Sequence, residues 1–428
     1  MTGRLCWILQ LASLALLGMP RSAFAQDLAT LVDGTAIPVR MVQVDATGRV
    51  EWASDPPRTA AFDDLLTLEF GGQPPAQADD RSSWTLTTRD EDRLHVDQPS
   101  LRDEQFTLPA AWSASPLAVP IDHVARGAPT HSNAALADDD VRWRPDPARD
   151  KLLLLDGDRI DVVVGFLTAI GDGRLEFEVD GVTRRIPLTS VRAFIMAAPE
   201  PPDAPQPPAR DARTRPDGPT HQRQVRVELH DGSLLHGHSF TCREEIVELT
   251  GGGGLRIAIR RHHVRRVDCQ SRRVVWLSDL QPTDVVQSSQ VSIPRDWRRD
   301  QSVFGGPLAI GAQSYRRGLG LQASTRLDFP APRDAQTLLF EAGIDSAAGD
   351  RGDCELVVTG DGVEPLVRRR LRGGAPAVRI SVPVAGVRRL RVAVESGAHF
   401  DLADQVVLGD ARFVLRGESL PATPAPGR

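Results

Sequence analysis

Asp-Gly pairs between short apolar runs are the feature that most constrains what this chain can fold into. Asp33-Gly34, Asp156-Gly157 and Asp231-Gly232 each stand in this setting, and an apolar residue follows four positions after every aspartate. Glycine readily takes the positive φ that the tight turn of a two-stranded hairpin requires, so these pairs predict β-hairpins. Turns at this spacing leave little room for long helices. The pattern therefore predicts an all-β chain.

The turns belong to an internal repeat of four copies. A weaker copy begins at Asp90, and every copy ends at a second apolar position. From the aspartate to that position the chain runs 32, 34, 35 and 33 residues; the end positions are Leu65, Val124, Val191 and Val264. Four or five short strands in one copy can close into a small SH3-like or Sm-like barrel. We predict tandem barrels at 26–80, 81–140 (degenerate), 141–196 and 223–285.

The first 25 residues have the features of a secretory signal peptide. Arg4 precedes an uncharged apolar stretch at 5–19, and Ala23-Phe24-Ala25 forms a small-residue cleavage site before Gln26. The apolar stretch is short for a bilayer span, and no later segment resembles one. We therefore expect a mature chain without a membrane span, either secreted or held in the periplasm or cell envelope.

Proline and glycine mark two further segments. The chain has 36 Gly and 33 Pro, and prolines crowd residues 197–222, which are nearly free of large apolar side chains. This composition predicts an extended linker at 197–222 and, for the same reason, a disordered tail at 417–428. The block between 286 and 416 has short runs of alternating apolar residues separated by turn signals, a pattern typical of a β-sandwich.

Ordered motifs in this block give it a family resemblance. They are Y-x-x-G-L-G-L-x-A-S from Tyr315, F-x-A-G-I-D ending at Asp345, an Asp-Gly turn at 361–362, and D-L-A-D from Asp401. Taken in this order, they resemble the NPCBM family of carbohydrate-binding modules. The resemblance implies a jelly-roll β-sandwich of the galactose-binding-like group and a carbohydrate ligand. More loosely, the upstream copies resemble the DG-type β-repeats that precede such modules in exported bacterial proteins.

The resemblance and the chemistry of the side chains together select the candidate site. Two positions depart from the family pattern: Gln322 replaces the usual His and Leu408 the usual Trp. Asp401 and Asp404 could accept hydrogen bonds from sugar hydroxyls, hold a calcium ion together with backbone carbonyls, or cap turns. The candidate carbohydrate-binding residues are Tyr315, Gln322, Asp345, Asp401 and Asp404.

The fourth copy has a different chemistry. It is rich in Arg and His, and His236 and His238 would share one strand face, as metal ligands or as part of a solvated basic surface. That surface could attract an anionic polymer or an acidic partner. Nucleic acid is not expected because interleaved aromatic residues are missing. Cys242 and Cys269 are a candidate disulfide in an exported chain.

Catalytic motifs are missing from the sequence. It contains no H-E-x-x-H, no G-x-S-x-G, no phosphate-binding loop and no C-x-x-C. We therefore predict an exported, non-catalytic, multi-module protein that binds carbohydrate, with calcium as the only candidate cofactor. Two alternatives stay open: a structural protein of the cell envelope whose repeats and sandwich bind protein partners, and an accessory module that assists a glycoside hydrolase in trans.

Overall fold

The computed structural model describes residues 27–39, 42–44, 49–52, 58–71, 84–130, 141–157, 159–198, 224–243, 245–252, 255–289, 295–397 and 403–417. The predicted signal peptide, nearly all of the predicted linker and nearly all of the predicted tail lie outside these residues. In the described part of the chain there are strands and short 3-10 turns and no α-helix, so the all-β prediction is confirmed.

The strands before residue 271 are β1 (Asp27–Leu31), β2 (Ala36–Val39), β3 (Val42–Val44), β4 (Arg49–Trp52), β5 (Arg58–Ala61), β6 (Leu65–Glu69), β7 (Trp84–Thr88), β8 (Arg93–Val96), β9 (Ser100–Arg102), β10 (Gln105–Leu108), β11 (Leu117–Pro120), β12 (Val124–Pro129), β13 (Asp150–Asp156), β14 (Arg159–Gly171), β15 (Arg174–Val179), β16 (Val182–Pro187), β17 (Val191–Ile195), β18 (Gln224–Leu229), β19 (Leu234–Gly237), β20 (Ser239–Cys242), β21 (Ile246–Thr250), β22 (Arg256–Arg260) and β23 (Val264–Gln270).

The strands after residue 273 are β24 (Val274–Trp276), β25 (Asp284–Gln287), β26 (Arg298–Arg299), β27 (Leu308–Ile310), β28 (Gln313–Tyr315), β29 (Gly318–Gln322), β30 (Thr325–Pro330), β31 (Ala335–Ile344), β32 (Asp353–Thr359), β33 (Pro365–Arg372), β34 (Val378–Pro383), β35 (Arg389–Ser396) and β36 (Gln405–Leu415).

All four upstream copies share one plan. The first strand of each copy pairs with its last, in the pairs β1–β6, β7–β12, β13–β17 and β18–β23. A 3-10 turn precedes each last strand, and that strand begins at the repeat's end position, which is buried in all four copies. The 32 to 35 residues from the aspartate to the end position of each copy are thus the length of chain needed to bring the last strand back beside the first.

The copies are joined through shared sheets. Copies one and four pair through β6–β23 and β3–β20, copies two and three through β12–β17 and β9–β14, and copies two and four through β8–β19. One continuous apolar core consequently runs from Ala29 to Cys269. Each copy contributes to a common hydrophobic interior, which buries more apolar surface than a lone copy of this size could.

The C-terminal part is a two-layer β-sandwich with its own core. One layer has the order β26-β29-β36-β31-β34, with β24 paired to β36, and the other has the order β25-β30-β35-β32-β33. The side chains that alternate inward from both layers form the second large apolar cluster, from Leu277 to Leu415. Because β24 and β25 pair inside these layers, the sandwich begins near residue 274, ahead of the boundary predicted at 286.

Candidate functional site

Three of the predicted site residues, Gln322, Asp345 and Asp404, gather at one end of the sandwich. The strands β25, β29, β31, β33 and β35 all end here, because the antiparallel register places their last residues side by side. Gln322 is the last residue of β29 and lies opposite Gln405, the first residue of β36. Asp345 directly follows β31, and Asp404 directly precedes β36.

Asp345 is fixed by short local contacts. Its backbone N–H donates to the carbonyl of Gln405 at 2.8 Å, and its Oδ1 accepts from the N–H of Ala347 at 3.0 Å, which caps a 3-10 turn at Ser346–Ala348. The side chain is buried, and Oδ2 has no hydrogen-bond partner among the described residues. A buried carboxylate oxygen without a hydrogen-bond partner lowers the stability of the fold. Binding of a ligand hydroxyl that donates a hydrogen bond to this oxygen would therefore be favourable.

Asp404 ties the neighbouring loops together. Its Oδ1 accepts from the N–H of Asp353 at 2.7 Å, and its carbonyl accepts from the N–H of Ala323 at 2.9 Å. The preceding residue, Ala403, has a φ of 61°, and Ser324 in the adjacent turn has a φ of 63°. Left-handed backbone at two residues other than glycine is strained, and such strain is common where a loop must hold a functional shape.

Gln322 is buried and connects this end to a segment that sequence reasoning missed. Its Oε1 accepts from the N–H of Arg295 at 3.0 Å. The guanidinium of Arg295 lies 4.6 Å from the ring centre of Phe304, and that ring is 49% exposed. Phe304 directly precedes Gly305-Gly306, and an aromatic residue in such a loop is a weak sequence signal for a surface role. No local sequence pattern places Arg295 beside Gln322.

Tyr315 does not join these residues. It ends the β27–β28 hairpin, where its ring packs against the backbone of Gly409 in the middle of β36. Its hydroxyl donates to Oε2 of Glu341 at 2.6 Å. Burial, followed by the hydrogen bond to Glu341, raises the pKa of the Tyr315 phenol well above its usual range. The structure therefore places Tyr315 within the β27–β28 hairpin, against the middle of β36 and away from the sandwich end.

Leu408 also has a structural position. It is fully buried in the apolar core between the two layers of the sandwich. A Trp at this position would be a core residue in this fold. Its replacement by Leu consequently removes no aromatic surface from the candidate site.

The remaining candidates bear on metals and disulfides. Asp401 lies outside the described residues, and within those residues no group of three or more His, Cys, Asp or Glu side chains is placed to hold a metal ion. The disulfide considered between Cys242 and Cys269 is not formed. Cys242 ends β20 and Cys269 lies on β23, in two different sheets. Burial raises the pKa of the Cys269 thiol, which keeps it protonated and unreactive.

Several basic residues of the fourth copy are paired with carboxylates. Arg265 contacts Glu228 at 3.1 Å, and Arg266 and Arg261 pair with Asp268 and Asp27 respectively. The imidazole of His236 contacts Asp92 of the second copy, with 3.1 Å between Nδ1 and Oδ1. The pairs of Arg261 with Asp27 and of His236 with Asp92 join the fourth copy to the first and second copies, whereas the pairs of Arg265 with Glu228 and of Arg266 with Asp268 lie within the fourth copy.

Comparison with known proteins locates one family in the chain. Residues 273–414 match the NPCBM/NEW2 domain. This segment is the sandwich as the strand pairing defines it, including β24. Part of the chain is 32% identical over 116 residues to "Alpha-1,3-galactosidase B" of Akkermansia muciniphila, covering 25% of this chain and 15% of that protein. The chain thus spans a small share of this curated relative.

Two solved structures are also similar. One is the CBM51 from Clostridium perfringens GH95 in complex with methyl-galactose, at 21% identity and a TM-score of 0.30, covering 33% of this chain and 99% of that one. The other holds the tandem CBM51 modules of the family 98 glycoside hydrolase from Streptococcus pneumoniae SP3-BS71, at 13% identity and a TM-score of 0.30, covering 62% of this chain and 88% of that one.

In the described part of this chain, no helix has the length and apolar character needed to span a bilayer.

Proposed function

We propose that the chain is an exported, non-catalytic protein that binds carbohydrate at the end of its C-terminal sandwich. The observation that carries the proposal is the NPCBM/NEW2 match over 273–414, together with a cluster of buried polar side chains at the end of this domain where five of its strands end. The proposal of export rests on the signal-like residues 1–25. The proposal of a non-catalytic role rests on the lack of the catalytic sequence motifs named above.

The chemistry of the cluster suits a sugar. Asp345 Oδ2 is a buried acceptor that a hydroxyl could satisfy, Gln322 adds an amide, and the exposed ring of Phe304 lies on the adjoining segment. Acceptors and an amide that fix a few hydroxyls beside an aromatic ring form a typical small-ligand site. The name of the Akkermansia relative supports a galactose-type sugar as the ligand. Asp401 and Asp404 stay candidates for hydroxyl or calcium contacts.

The full chain should bind methyl-galactoside or galactose-terminated glycans in calorimetry and on a glycan array, each measured with calcium and with a chelator. Asp345→Asn keeps an oxygen acceptor for the Ala347 N–H. It replaces the unpartnered oxygen with an amide NH2 group, which donates hydrogen bonds and cannot accept one from a sugar hydroxyl. We expect it to weaken binding by about tenfold or more, the usual penalty for a mismatched buried polar group.

The matched control is Asp361→Asn. Asp361 accepts from the backbone N–H groups of Arg388 and Arg389 at the opposite end of the sandwich, so this variant makes the same chemical change away from the site. It should bind as the unaltered chain does. Failure to bind any arrayed sugar, with or without calcium, would overturn the proposal, as would equal losses in the two variants.

A further inference from the structure

A polar groove crosses the outward face of the five-stranded layer. The strand register aligns one outward row across this layer in the order Val286, Arg326, Ala393, Val357, Arg368. Ala393 is on the central strand β35, and its methyl group is much shorter than the two arginine side chains on either side. The row therefore has a low floor, formed by Ala393 and Val357, between the side chains of Arg326 and Arg368.

Two adjoining depressions, open to the surface, follow this floor. Their volumes are about 310 and 360 Å³, and they share Arg326, Ala393 and Glu395. Residues of β35 between Arg391 and Ser396 line the two of them. At about 3.4 Å per residue, this stretch of strand is roughly 17 Å long. The groove is thus elongated, in contrast to the compact cluster at the sandwich end.

Ion pairs hold the walls of the groove in place. Arg391 Nε lies 2.7 Å from Asp328 Oδ1, Arg326 Nη2 lies 2.8 Å from Asp284 Oδ2, and Arg368 contacts both Glu355 and Glu395. Three guanidinium groups thus face four carboxylates. Nearly balanced charge gives little attraction for a polyanion, whereas adjacent fixed donors and acceptors suit hydroxyls, which both donate and accept.

The groove reaches the same end of the sandwich as the candidate site. Its first residues include Ser288 and Ser324; the Ser288 N–H donates to the Ser324 carbonyl at 3.1 Å, and Ser324 follows Gln322 by two positions. We infer that the groove is a second subsite, which holds the inner units of an extended neutral oligosaccharide whose terminal unit occupies the end site. This inference rests on the proposed function and adds the length and charge class of the ligand.

Calorimetry on the full chain tests the groove separately from the end site. The probes are methyl-galactoside and a linear, neutral, galactose-terminated oligosaccharide of about six units. We expect the oligosaccharide to bind at least about tenfold more tightly, because a second set of contacts is added to a ligand already held. Ala393→Trp should fill the floor, abolish this gain and leave methyl-galactoside binding unchanged.

Two further variants keep the test decisive. Ser381→Trp makes a similarly large replacement at an exposed position of the opposite layer and should leave both ligands unaffected. Arg368→Gln should lower oligosaccharide affinity alone, even if Ala393→Trp fails to fold. Equal affinity for the two probes, or retention of the gain in both groove variants, would overturn the groove and leave the end site standing. Failure of methyl-galactoside and every other sugar to bind would instead remove the proposed function, and the groove with it.

Discussion

Asp328 shows how a single buried carboxylate can organise an otherwise exposed sheet face. Its side chain is almost fully buried, and it forms a two-pronged ion pair with Arg391, at 2.7 Å to Nε and 2.8 Å to Nη2. The hydrogen bonds from Arg391 lower the pKa of Asp328 below its ordinary value, although burial opposes this shift. A carboxylate with a lowered pKa stabilises the fold at neutral pH. That contribution is lost as the pH falls through the folded-state pKa.

Asp328→Asn should therefore destabilise the protein at pH 7 by about 1–3 kcal/mol, the range for hydrogen bonds between charged groups when one partner is partly exposed. Urea unfolding measures the effect, and the difference from the unaltered chain should shrink below about pH 4, where the carboxyl is neutral in the unfolded chain. Asp284→Asn breaks the exposed pair with Arg326 and should cost less than about 1 kcal/mol. A pH-independent loss in Asp328→Asn would contradict the assignment.

Tyr315→Phe separates a structural role from a binding role. Removal of the hydroxyl deletes the hydrogen bond to Glu341 but keeps the ring against Gly409. We expect a loss of about 1 kcal/mol in the free energy of unfolding and no change in sugar affinity. Both are measured on the same preparation by denaturant unfolding and calorimetry. Weaker sugar binding at unchanged stability would return Tyr315 to the site.

Single elements of the repeat could be predicted, but their partners could not. Asp-Gly turns and alternating apolar residues predict a hairpin because these are local preferences. The pairing of β6 with β23 or of β8 with β19 is made by backbone hydrogen bonds between distant segments, which leave no local pattern. The site divides similarly. Asp345, Gln322 and Asp404 stand in recognisable motifs, whereas Arg295 reaches Gln322 through its backbone N–H, which any residue type except proline could supply.

The junction of copies two and four offers a test of this shared architecture. Asp92 is buried, and its Oδ1 accepts from the backbone N–H of His236 at 2.6 Å and contacts its Nδ1 at 3.1 Å. Asp92→Ala should destabilise the upstream copies by about 1–3 kcal/mol because the half-buried N–H of His236 in the other copy loses its acceptor. Asp161→Ala, at an exposed position of β14, is the control. If Asp92→Ala raises backbone amide hydrogen exchange in copy two but not in β18 and β19, the two copies unfold independently, which would contradict a shared core.

At the scale of the whole molecule, Arg412 joins the upstream copies to the sandwich. It is 4% exposed, its Nε donates to the carbonyl of Val32 at 3.1 Å, and its guanidinium lies 5.7 Å from the Trp276 ring centre. We expect Arg412→Ala to leave the Val32 carbonyl without this donor and to cost about 1–3 kcal/mol. Calorimetric unfolding should then separate into two transitions, one for each large core. Arg389→Ala, an exposed change on the opposite layer, should unfold as the unaltered chain does. A single transition lowered as a whole would show that the two cores unfold together even without Arg412.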